Sequence, residues 1–72
     1  MERDVLERRL AQTEECLIDV DEQILRQREI IAELQVGGLS TTVATEIVDS
    51  LLRVRARHED HRGRLRMELG ND

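Results

Sequence analysis

Leu6, Leu10, Thr13, Leu17, Val20, Ile24, Gln27, Ile31 and Leu34 recur at alternating intervals of four and three residues without interruption. That period draws a stripe along an α-helix and is the mark of a helix packed against another helix. Seven of the nine positions are aliphatic, so the stripe is a seam to be buried. Beside it a second row, Ala11, Ile18, Leu25 and Ala32, recurs every seven residues. The apolar face is therefore wider than a two-stranded coiled coil needs, which points to a bundle of more than two helices. The chain contains no proline, and nothing within the stripe breaks the helix.

The stripe stops at "VGGLST". Gly37 and Gly38 can adopt the left-handed conformation that ends a helix, and Ser40 or Thr41 can cap the next one by accepting a backbone N–H. A second seam follows: Ala44, Ile47, Leu51, Val54, His58, His61 and Leu65, widened by Val48 and Leu52. The expected fold is all-α, an antiparallel two-helix hairpin. Helix 1 covers about 2–36, the turn 37–40 and helix 2 about 41–69, within one unit over 1–72. A loop this short forces the helices antiparallel. Folding at Gly38 places residue i opposite residue 76 − i. The arginines of 53–66 (Arg53, Arg55, Arg57, Arg62, Arg64 and Arg66) then face Glu14, Glu15, Asp19, Asp21 and Glu22, which favours this pairing over others.

Seventy-two residues support one small core, and such a chain usually needs a staple or a partner. One cysteine cannot form an intrachain disulfide and suits a reducing, cytoplasmic setting. "MERDVLERRL" has no apolar stretch, so no signal peptide is expected there. No apolar run approaches the roughly 20 residues of a membrane span, so a membrane is not an expected partner. The outer apolar residues Ile18, Leu25, Ile30, Val48 and Leu52 would face water in a lone hairpin. The simplest cover is a second copy related by a two-fold axis, giving a four-helix bundle. The expected self-association seam is Leu17, Val20, Ile24, Gln27, Ile31, Leu34, Ile47, Leu51 and Val54. Gln27, polar within the seam, would fix register by bonding its own copy or Ser50.

"QREIIAEL" at Gln27–Leu34, "GLSTTVA", "LL" and "RHEDHRGRLRMEL" together resemble a group of short bacterial helical-hairpin proteins. Their patterns read roughly QREIV-x-x-L, G-x-x-T-x-x-A, L-L and H-x-x-D-R-x-R-L-x-x-E-L. The resemblance covers most of Gln27–Leu69 and, more loosely, Leu6–Arg26. That group has no assigned activity, so the resemblance implies a fold and no site residues. His58 matches its histidine. His61 stands where the group usually has Asp, which argues against a two-histidine site as a property of the group.

Three chemistries compete with a purely structural reading. His58 and His61 are three apart and share a helix face, and the hairpin register brings Cys16 near His61. Two His and one Cys would suit Zn²⁺, but no C-x-x-C or E-x-x-H spacing occurs and Arg55 stands three before His58. Neighbouring histidines on one helix cannot flank a haem, and no cofactor is expected. The structural alternative has both imidazoles half-buried and hydrogen-bonded to Thr13, Asp19 or Glu15. The six arginines of helix 2 could bind phosphates. The chain, however, is acidic at −5 and has no aromatic residue to stack on a base. Nucleic acid is thus not the expected partner. Cys16 lies among Glu14, Glu15 and Asp19, which do not favour a thiolate. "VGGLS" is a turn between helices and no phosphate loop, and no Ser–His–acid set stands on separate elements. No enzyme is expected. The expected function is a structural or protein-interaction module that associates with itself, and possibly with another protein.

Overall fold

The computed structural model describes residues 2–70. Residues 1, 71 and 72 of the expected 1–72 unit lie outside them. Helix α1 spans Arg3–Val36 and helix α2 spans Thr42–Gly70, and the two pack against each other as a hairpin. Both helices follow from local chemistry. Leu, Arg and Glu recur in both, joined by Gln in α1, all good helix formers, and neither contains proline.

The turn between them is a Schellman motif. Gly38 sits at φ +70, Leu39 N–H donates to the Leu34 carbonyl at 2.9 Å, and Gly38 N–H donates to the Gln35 carbonyl at 3.1 Å. These bonds satisfy carbonyls that the end of α1 would otherwise leave open. Gly38 takes the left-handed position because an L side chain there would crowd the backbone. Thr41 holds the cap position of α2, its carbonyl accepting from Thr45 N–H at 2.9 Å. The hydroxyl that meets a free backbone donor is that of Ser40, which accepts from Thr42 N–H at 3.4 Å.

Along α1 the whole predicted stripe faces α2. Leu6, Thr13, Leu17, Val20 and Ile24 are buried, and Leu10, Gln27, Ile31 and Leu34 are half-buried. Thr13 enters this apolar seam because its hydroxyl donates to the Arg9 carbonyl one turn back, at 2.8 Å.

The α2 seam differs from expectation by one residue in alternate turns. Its inward rows are Ala44, Leu51, His58 and Leu65, as expected, joined by buried Val48 and half-buried Arg55, Arg62 and Leu69; Ile47 and Val54 are exposed, while His61 is half-buried like Arg62. A seam against one helix is only two rows wide, and α2 offers three candidate rows. The row containing Arg55 is chosen with the charge it carries. Arg55 Nε donates to Asp21 Oδ1 at 2.6 Å, across the hairpin, and the aliphatic stem of an arginine can lie along apolar surface. These two residues also confirm the expected 76 − i register.

Most of the expected cross-hairpin charge pairing does not form. Among the described residues, Arg55–Asp21 is the ion pair of α2 with α1. Arg55 also pairs with Glu59 on its own helix, and Arg53 Nη2 donates to Ser50 Oγ. Arg53, Arg57, Arg64 and Arg66 are exposed, because their rows turn away from α1.

The core is thin. Its aliphatic members are Leu6, Leu17, Val20, Ile24, Ala44, Val48 and Leu65, and no side chain among the described residues is less than 2% exposed. The molecule measures 55 × 14 × 13 Å with a radius of gyration of 16.5 Å. A compact domain of this length would have a radius of gyration of about 11 Å. A rod of two helices gives every core residue a rim of solvent.

Candidate functional site

Cys16 is exposed, while His58 and His61 are half-buried. His58 belongs to an inward row of α2. His61 flanks the seam on the side of Ile47 and Val54. Neither imidazole makes the hydrogen bond expected to Thr13, Asp19 or Glu15; the Thr13 hydroxyl is already committed to Arg9. Among the described residues no three His, Cys, Asp or Glu side chains converge where they could hold a metal ion. The residues His58, His61 and Cys16 therefore do not assemble within one chain.

The Arg55 site is the strongest local electrostatic feature. Its hydrogen bond to Asp21, with the charges of Asp21 and Glu59, raises the guanidinium pKa further above an already high ordinary value. Arg55 thus stays charged and serves as a fixed link between the helices. The guanidinium remains close to half exposed, so solvent screens the link and it adds little to stability.

The surface is more informative. On an antiparallel hairpin the residues flanking the two seams form two long faces. The first carries Ile18, Leu25, Ala11 and Ala32 from α1, with Leu52 and Ala56 from α2. Ile18 is 59%, Leu25 60% and Leu52 40% exposed. An open groove of about 500 Å³ runs between Leu25 and Leu52, lined by these two with Asp21, Ile24, Arg28 and Arg55. The second face carries Ile47 and Val54, 39% and 37% exposed, with half-buried Ile30 and His61. Of the residues expected to face water, Ile18, Leu25 and Leu52 do so. Val48 is instead in the core, and Ile30 is half covered.

The expected self-association seam is divided by the fold. Leu17, Val20 and Ile24 are buried against α2; Gln27, Ile31, Leu34 and Leu51 are half-buried; Ile47 and Val54 are exposed. Among the described residues Gln27 has no hydrogen-bond partner, and Ser50 accepts from Arg53 instead. The residues that sequence reasoning placed outside the seam, Leu25 and Leu52 above all, line the groove. Their signal was the seven-residue repeat of the row beside the seam. No helix among the described residues is long and apolar enough to cross a membrane. No protein family, curated protein or solved structure matches this chain.

Proposed function

We propose that this chain is a non-catalytic structural or protein-interaction module of the cytoplasm that associates with itself into a homodimeric four-helix bundle. The observation that carries the reading is the open apolar face of Ile18, Leu25 and Leu52 on a rod with a thin core. Exposed aliphatic side chains are individually ordinary. Here Ile18 and Leu25 stand seven residues apart on one face of α1, and Leu25 and Leu52 line an open groove, which is the pattern of a surface that docks. A second hairpin laid on that face converts a two-helix seam into a four-helix core. Half-buried Gln27, without a hydrogen-bond partner among the described residues, suits an assembly in which polar positions set register.

Sedimentation equilibrium of the full chain at tens of micromolar tests the reading. A mass of at least twice the 8.4 kDa chain is expected. A helical, cooperatively folding monomer over that range would overturn it.

A further inference from the structure

We infer that the second copy seats on the Leu25–Leu52 face with its two-fold axis along the hairpin, so that α1 of each chain lies against α2 of the other, and that Arg28 and Asp49 are the paired charges that set this arrangement. The inference rests on the self-association reading above and specifies its surface and geometry.

The register makes the argument. Asp21 pairs with Arg55 within the hairpin, so each α1 residue lies level with the α2 residue whose number completes 76. On the open face this puts Leu25 level with Leu52, Ala32 with Thr45, and Arg28 with Asp49, to within about one residue. A two-fold axis along the rod preserves these levels between chains. Leu25 of each copy then meets Leu52 of the other, a central layer of four leucines. Ala32 meets Thr45, so small residues flank that layer on the loop side. Among the described residues the Arg28 and Asp49 side chains make no hydrogen bond or ion pair, and both are exposed. Across the interface each finds an opposite charge, twice by symmetry.

Reversing the second copy end for end about the middle of the Ile18–Leu25 stripe loses this complementarity. It would set Asp49 against Glu59 and Asp21 against Glu22, and opposed like charges select against a docking mode. The other long face is the poorer choice. Level with Val54 it offers Gln23, and level with His61 it offers Cys16, so polar groups interrupt the apolar contact.

The test is sedimentation equilibrium of the full chain and its variants, with helicity followed by circular dichroism. Leu25→Glu should abolish the dimer, and Val54→Glu should leave it intact. Arg28→Glu and Asp49→Arg should each weaken dimerisation by about tenfold or more, since each sets two like-charge pairs against one another. Mixed one to one, those two variants should form a heterodimer as tight as the native dimer, because both of its interfacial pairs are then opposite in charge. An effect internal to one chain could not be rescued by mixing. Dissociation by Val54→Glu but not Leu25→Glu would overturn the inference and leave self-association standing. So would single charge variants as tight as wild type, or a mixture that stays monomeric. A monomeric wild-type chain would sink both readings.

Discussion

Gly38 and Gly63 are the same residue type with opposite consequences. Gly38 sits at φ +70 in the turn, where a β-carbon meets no atom within 4 Å yet the backbone itself is unfavourable for an L residue. Gly38→Ala should therefore destabilise the protein by about 1 kcal/mol. Gly63 lies inside α2 at an ordinary helical φ, also with open space around its missing β-carbon. Gly63→Ala should stabilise by up to about 1 kcal/mol through helix propensity alone. Urea unfolding at one fixed protein concentration checks both signs. At Arg55 the geometry is tight, 2.6 Å to both Asp21 and Glu59, but the solvent is close. Asp21→Asn should cause only a small loss of stability, and the loss should shrink as salt is added. A larger loss that persists in high salt would mean that Asp21 does more than pair with Arg55.

Between elements, the phase of α2 is the decisive quantity. Val48 is 8% exposed and its neighbour Ile47 is 39% exposed, although the two are equally apolar to a reader of the sequence. Val48→Asp should cost several kcal/mol, because it places a charge in the seam without a partner. Ile47→Asp should cost far less. Equal losses in thermal unfolding would contradict the helix phase described here. Burial along the hairpin is also distributed unexpectedly. The Ile- and Leu-rich loop end looks stronger in sequence, yet Leu34 and Ile31 are only half-buried, while Leu6 and Leu65 at the far end are the least exposed core residues at 2% and 4%. Leu65→Ala should accordingly cost about 2–5 kcal/mol, and at least as much as Leu34→Ala.

At the scale of the whole molecule, shape governs stability. A rod 55 Å long and 14 Å wide buries one stripe per helix and leaves both flanks wet. Small domains are marginal even when compact, and this one is not compact. If a second copy supplies the missing layer, folding and association are linked, and the thermal midpoint should rise with protein concentration. Differential scanning calorimetry over a hundredfold dilution series gives the answer. A midpoint independent of concentration would show that the hairpin stands alone.

What the sequence by itself determined was everything carried by periodicity and local chemistry. The four-and-three spacing from Leu6 to Leu34 identified α1 and every buried residue on it. The pair Gly37–Gly38 identified the turn, and each helix bound fell within one residue of expectation. These features rest on interactions between residues close in the chain, which spacing reveals directly. The tertiary structure alone decided which two of three rows on α2 turn inward. Rows led by Ile47 and by Val48 are both plausible in one dimension, and the choice depends on how α2 is rotated against α1, where Asp21 waits for Arg55. That rotation exposed Val54, moved His61 to a flank and opened the Leu25–Leu52 groove. It also left most of the arginines in solvent. A charge pair requires two side chains to share a direction as well as a level, and spacing along one helix is silent about the direction of the other.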